Sequence, residues 1–296
     1  MEICVFGAGS LGSLVGGLLA DNHQVTLVGR QPHVDAIEAD GLAITGAVDR
    51  SATLNAVTTV PATAELAIVT VKSFDTEAAA QALQAVELDG VLSLQNGMGN
   101  EEQLAAELAA PVLAGTATYG AHRTEPGTVE CTGLGEVVLG PTDGGKSTLA
   151  DSVGKAFTES GIETTVSAEM PRYLWEKLAV NAGINAATAL ARVPNGAVVE
   201  TPGEDVARHA AREAVQTGRK QGVSLEPADA AQTTVSVAAS TARNRSSMLQ
   251  DIESGSRTEI DAINGYVVEQ ANRPVPVNET LTGLIKTWEK ENDLRL

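Results

Sequence analysis

The sequence predicts an α/β protein: a doubly wound parallel sheet followed by an all-α domain. Three observations predict it. Short apolar strands alternate with amphipathic helices through the first half of the chain. A glycine-rich turn joins the first strand to the first helix. From Met170 onward the apolar residues recur every three to four positions, the period of helices, punctuated by Pro202, Pro227, Pro274 and Pro276. A chain of 296 residues accommodates two domains, and the change of texture puts the boundary near Ser167–Pro171. The expected division is a nucleotide-binding domain over 1–168 and a helical substrate-binding domain over 169–296.

Taken in order, Glu2–Phe6 reads as a buried strand, Ser10–Asp21 as a helix and Gln24–Val28 as a second strand. Further strands are expected over Leu66–Val71, Val91–Gln95 and Val112–Thr116. Strands that alternate with helices imply parallel pairing with helices on both faces. Thr128–Thr132 and Glu136–Gly140 flank Gly133-Leu134-Gly135 and read as a β-hairpin. A helix over Leu149–Ser160 and a strand near Glu163–Val166 close this half. Helices are then expected over Tyr173–Ala191, Glu204–Gln221, Pro227–Ala242, Thr258–Gln270 and Asn278–Lys290.

Composition narrows the function. Aromatics are 3% of residues, so the core must be built from Ala, Val, Leu and Ile. Asp and Glu total 38 against 20 Lys and Arg, a net charge of −18. Such a surface repels nucleic-acid phosphates, which excludes a nucleic-acid partner. The acids are scattered along the chain, as on a protein adapted to a high-salt cytoplasm, where ions screen the self-repulsion. The apolar stretches are too short to span a bilayer, and Met1–Phe6 lacks the features of a signal peptide, so a cytoplasmic location is expected. Cys4 and Cys131 form no disulfide framework, and neither has a neighbour that would activate a thiol. His23, His33, His122 and His209 lack ligand spacing, so no metal is expected.

Gly7-Ala8-Gly9-Ser10-Leu11-Gly12 follows a strand and opens a helix. In that setting the three glycines serve distinct needs. Gly7 makes the tight turn, Gly9 lets the backbone approach a pyrophosphate, and Gly12 lets helix and strand pack closely. The helix N-terminus supplies free N–H groups to the phosphates. This is the fingerprint of a Rossmann-type dinucleotide site. NAD sites usually carry an acid at the end of the second strand. Here that strand ends in Gly29-Arg30, and a guanidinium suits a 2′-phosphate, so NADPH is the expected cofactor. Lys72 and Asn96 fall just beyond two further strand ends, where ligands of open α/β sheets lie. Asn96-Gly97 is also compatible with a plain turn.

Lys177, Asn181 and Asn185 are spaced four apart, on one face of an otherwise apolar helix. A lysine and two amides in that setting are costly to desolvate without partners, which points to a functional cleft for a small polar carbonyl compound. Asn244-Arg245-Ser246-Ser247 and Thr258-Glu259-Ile260-Asp261 form a second cluster. On the residues alone, Ser246 and Ser247 also read as helix caps, and Glu259 as a carboxylate at a helix start.

Taken together, these blocks resemble the ketopantoate reductases. The resemblance runs from the glycine loop through Gln95-Asn96-Gly97-Met98-Gly99, Gly127-Thr128-Val129 and Glu176-Lys177-Leu178 to Ser246-Ser247-Met248-Leu249-Gln250-Asp251 and Thr258-Glu259-Ile260-Asp261. It implies a C-terminal domain like that of 6-phosphogluconate dehydrogenase. It also implies the NADPH-dependent reduction of ketopantoate to (R)-pantoate, on the route to pantothenate and coenzyme A. By the same resemblance, Lys177 is the general acid and Glu259 hydrogen-bonds the substrate beside the cofactor. Ser247 seats the substrate carboxylate, and Asn181, Asn185 and Asn244 position the substrate. Asn96 and Lys72 contact cofactor and active site, and Arg30 holds the 2′-phosphate. The expected partners are the small-molecule substrate and, at most, a second copy in a homodimer. Two alternatives stay open: another 2-oxo acid as substrate, or a non-catalytic NADPH sensor.

Overall fold

The structure, a computed structural model, describes residues 1–295. Its strands are β1 (Glu2–Phe6), β2 (Gln24–Val28), β3 (Leu42–Gly46), β4 (Arg50–Ala52), β5 (Asn55–Val57), β6 (Thr63–Val69), β7 (Glu87–Ser93), β8 (Val112–Ala117), β9 (Gly120–Glu125), β10 (Thr128–Gly133), β11 (Val137–Pro141) and β12 (Thr164–Val166). Between them lie α1 (Ser10–Leu19), α2 (His33–Asp40), α3 (Thr76–Leu83), α4 (Asn100–Glu107) and α5 (Thr148–Glu159). The rest is helical: α6 (Met170–Ala191), α7 (Pro202–Lys220), α8 (Pro227–Ser240), α9 (Ser247–Glu253), α10 (Tyr266–Gln270) and α11 (Pro276–Glu291). The chain forms two compact units. One comprises Met1–Gln95 with Asn100–Met170; the other comprises Asn96–Gly99 and the chain from Pro171 onward.

In the first unit the strand order β12-β11-β8-β7-β6-β1-β2-β5 forms one sheet, parallel except where β11 runs against β8. Apolar runs such as Leu66–Val69 in β6 are buried on both faces, as parallel strands covered by helices must be. One core cluster gathers Leu14 and Val15 of α1 with Val153 and Phe157 of α5. The other gathers Ala79 and Leu83 of α3 with Leu104 of α4. The doubly wound character is therefore as expected. The order reverses between β1 and β6, so the carboxyl end of β1 is a topological switch point, the place where such sheets receive ligands.

One expected element is wrong. Thr128–Thr132 and Glu136–Gly140 do not pair with each other. β10 pairs antiparallel with β9 and parallel with β3, in a second sheet of order β4-β3-β10-β9. β11 joins the main sheet between β8 and β12. The reason is burial. Val137, Val138 and Leu139 are consecutive and all buried, which only an interior strand permits. The real hairpin turns at Pro126-Gly127, with Gly127 at φ +77°.

The second unit packs Ala-rich helices closely. A side chain at Gly183 of α6 would lie 2.6 Å from Thr234 of α8 and 2.7 Å from the Ala207 carbonyl of α7. The helix expected over Thr258–Gln270 is shorter and partly different. Residues 261–265 form a π turn, with Gly265 N–H donating to the Ile260 carbonyl at 2.8 Å, and α10 continues from it. Among the described residues, no helix is long and apolar enough to cross a membrane.

Candidate active site

The glycine loop sits at the switch point of the first unit. Gly7 has φ +117°, and a side chain there would meet Val71 N at 2.8 Å. A side chain at Gly12 would fall 2.1 Å from the Gly7 carbonyl and 2.4 Å from Thr70 Oγ1. Gly9 differs: it is exposed, and a side chain there would enter open space. The loop is therefore packed tightly behind and open in front. Gly9 caps α1 without any side-chain hydrogen bond. The first-turn amides of a helix have no intrahelical acceptor, so those near Gly9 suit an incoming anion. Beyond β2, Arg30 is 91% exposed and held only by a loose pairing with Asp75 at 3.9 Å. Surface pairs of this kind contribute about 0–1 kcal/mol, so Asp75 leaves the guanidinium available to an incoming anion at little cost. Lys72, half-buried, caps the short 3-10 turn Ser73–Asp75 after β6. These residues fit a phosphorylated dinucleotide.

Three groups to which the sequence analysis assigns no site role brace this loop and the neighbouring Lys72 turn. Arg123 of β9 donates from its backbone N–H to Ser10 Oγ and from its guanidinium to the Ala8 carbonyl, each at 3.0 Å. His33, 2% exposed, accepts the Gly127 N–H at Nδ1 (2.9 Å), so in its neutral form Nε2 carries the proton and donates to Ser13 Oγ at 3.0 Å. Burial first, and the Arg123 charge second, push its pKa down to about 4. Gln95 donates to Thr76 Oγ1 (2.7 Å) and to the Val71 carbonyl (3.2 Å), bracing the Lys72 turn. The polar, exposed strand β9 gave no apolar alternation to flag Arg123. Pro126-Gly127 was the available signal for its hairpin. Burial pushes the Cys4 thiol up to about 12, consistent with a small apolar core residue.

In the second unit, α6 carries Lys177 and Asn181, both half-buried, and Asn185, 6% exposed. Neither amide side chain has a hydrogen-bond partner among the described residues. Neither amide is sealed from solvent, so both can hydrogen-bond an incoming ligand from a helix whose neighbouring residues are buried. Ser246 is the cap of α9: its hydroxyl accepts from Leu249 N–H at 3.1 Å and bonds Thr188 Oγ1 at 2.8 Å. Ser247, one residue on, is half-buried and has no capping role. Asn244 is exposed at its side chain; its carbonyl accepts from Asn195 N–H at 2.9 Å. The sequence reading missed Asn195, which also donates to Thr241 Oγ1 at 3.0 Å and so holds the Asn244 turn.

Glu259 is 4% exposed and lies just before the π turn, where its carbonyl accepts from Ala262 and Ile263 N–H. The expectation that it opens a regular helix is corrected accordingly: the turn that follows is wide. Asn96 belongs to the same unit. Its neighbour Met98 donates its N–H to the Ala262 carbonyl at 3.0 Å, and a side chain at Gly97 would strike Ala262 Cβ at 2.5 Å. The Asn96 segment and the Glu259 turn are thus packed backbone to backbone.

A model of the family described as "Ketopantoate reductase PanE/ApbA" matches residues 3–144, and one for "Ketopantoate reductase PanE/ApbA C terminal" matches residues 169–289. A 2-dehydropantoate 2-reductase of Halobacterium salinarum is 45% identical over 305 residues, spanning 98% of this chain and 100% of that relative. Among solved structures, a PanE/ApbA family ketopantoate reductase from Ralstonia eutropha JMP134 is similar at TM-score 0.90 and 32% identity, over 99% of this chain and 100% of that one. D-mandelate dehydrogenase with NADH and anilino(oxo)acetate is similar at TM-score 0.93 and 25% identity, over 100% of both.

Proposed function

The chain belongs to the ketopantoate reductase family, and from that premise we propose that it reduces 2-dehydropantoate to (R)-pantoate with NADPH. The observation that carries this reading is the α6 face: Lys177, Asn181 and Asn185 in line on a helix whose neighbouring residues are apolar and buried. In this reading NADPH is held by Gly7–Gly12, Arg30 and Lys72, with contributions from Asn96 and Glu259. When bound, it supplies the hydride.

The chain's own residues do the rest. Asn181, Asn185, Asn244 and Ser247 donate hydrogen bonds to the substrate, with Ser247 at the carboxylate. Glu259 accepts from a substrate hydroxyl. As the carbonyl carbon gains the hydride, the C=O π pair moves onto oxygen and Lys177 Nζ gives that oxygen its proton. Apolar neighbours such as Leu178 and Ile184 keep water away from the helix behind these groups. The division into a cofactor domain over 1–168 and a substrate domain over 169–296 belongs to the same reading.

A second reading keeps the scaffold and changes the 2-oxo acid. It is favoured by the similarity to D-mandelate dehydrogenase, a relative named for a different substrate. Adding ketopantoate or 2-oxoisovalerate to enzyme with NADPH separates the two. A higher kcat/KM for ketopantoate supports the first reading, and the reverse supports the second.

A further inference from the structure

Glu289 of α11 is 0% exposed and has no part in the chemistry above. Its Oε1 accepts both the N–H (2.8 Å) and the hydroxyl (2.7 Å) of Thr258. Its Oε2 accepts from Arg295 Nε at 2.8 Å. Desolvating a carboxylate is expensive, and an apolar contact would hold α11 in place just as firmly. What the carboxylate adds is direction: it fixes the Thr258 peptide, one residue before Glu259.

The same arginine also holds a residue on the C-terminal side of Glu259 in sequence. Arg295 pairs with Asp261, which also takes Lys286 Nζ at 2.7 Å and Arg257 at 3.4 Å. Burial would push the Asp261 carboxyl up; hydrogen bonds from Arg295 and Lys286 outweigh it and hold the carboxyl below its usual range. Thr258 and Asp261, which flank Glu259 in sequence, are therefore tied together through Glu289 and one shared guanidinium.

The segment also ties the other parts of this unit to Glu259. The Ala262 carbonyl holds Met98, two residues from Asn96. Asn264 Nδ2 donates to the Ala182 carbonyl of α6 at 3.0 Å and to Asn278 Oδ1 at 2.9 Å. The π turn spaces these contacts, and wide turns of this kind recur at functional sites.

We propose that Glu289 and Arg295 are positioning residues for Glu259, orienting it through Thr258 and Asp261 relative to Asn96 and the α6 face. This rests on the substrate role given to Glu259 above. The test compares wild type with Arg295→Ala, Arg295→Lys and Glu289→Gln. The readouts are KM and kcat for ketopantoate, thermal midpoint, and hydrogen exchange of peptides covering residues 258–265. Arg295→Ala is expected to raise KM about tenfold and speed exchange at 258–265 by a similar factor, while the protein stays folded at the assay temperature. Arg295→Lys should restore most of both, because an ammonium still pairs with the two carboxylates. Glu289→Gln should show the same pattern more weakly, since its amide oxygen still accepts from Thr258. In a Glu259→Ala background, Arg295→Ala should add little to the loss in kcat/KM. A lowered midpoint with KM, kcat and exchange at wild-type values overturns the proposal, as does a fully additive double variant. The exchange result is independent of substrate: wild type inert with ketopantoate, with faster exchange in Arg295→Ala, would fault the substrate reading and leave the positioning intact.

Discussion

Lys177 and Arg30, the proposed proton donor and 2′-phosphate ligand, lie in opposite settings. Lys177 is half-buried on an apolar helix, and in the proposed reaction its ammonium meets the developing alkoxide. Lys177→Ala should lower kcat by about two or more orders of magnitude, the range for loss of a general acid, with NADPH affinity unchanged. Single-turnover rates and NADPH binding measured together check this; a near-normal kcat removes Lys177 from the mechanism. Arg30 is exposed and loosely paired, so its effect should be confined to the 2′-phosphate. Arg30→Ala should raise KM for NADPH far more than KM for NADH, and equal effects would defeat the assignment. The positions of both residues, on one face of a helix and just beyond a strand end, were legible in the sequence. Arg123 was not, because its importance lies in reaching the Ala8 carbonyl from a strand more than a hundred residues away, a contact that no local pattern encodes.

At the scale of elements, local periodicity served well where one face is buried and poorly where tertiary packing decides. The parallel strands and the Ala-rich helices announce themselves. The pairing of β10 and β11 does not, because a Gly-Leu-Gly turn between two apolar runs looks like a hairpin whichever sheet each run joins. The π turn is equally hidden: Thr258–Gln270 has helical spacing, and the contacts of this segment to Glu289, Asn278 and Met98 come from distant parts of the chain. That turn makes a sharp prediction at Gly97. Its φ of +83° and its 2.5 Å approach to Ala262 leave no room for a methyl group. Gly97→Ala should cost about 1–3 kcal/mol and raise KM for substrate, as read by denaturant midpoint and steady-state kinetics. Unchanged stability would mean that the Asn96 segment is not held against the turn as described.

For the whole molecule, the dominant feature is a net charge of −18 spread over the surface. Self-repulsion of that size is relieved as salt rises from about 0.1 M to 1 M and the Debye length falls from about 10 Å to 3 Å. The thermal midpoint should climb across a potassium chloride series, and full stability in dilute buffer would contradict salt adaptation. The same charge sets a problem for the enzyme, which must bind an anionic cofactor and an anionic acid. In the proposed reading the glycine loop, Arg30 and Lys72 receive the one, and Lys177 with its amides the other. That pairing of two anion-receiving sites with a proton donor is the central claim, and consumption of NADPH on addition of ketopantoate tests it most directly. Steady loss of NADPH with formation of pantoate, faster than with 2-oxoisovalerate, is the predicted result. NADPH that binds yet is not consumed with either acid would contradict it.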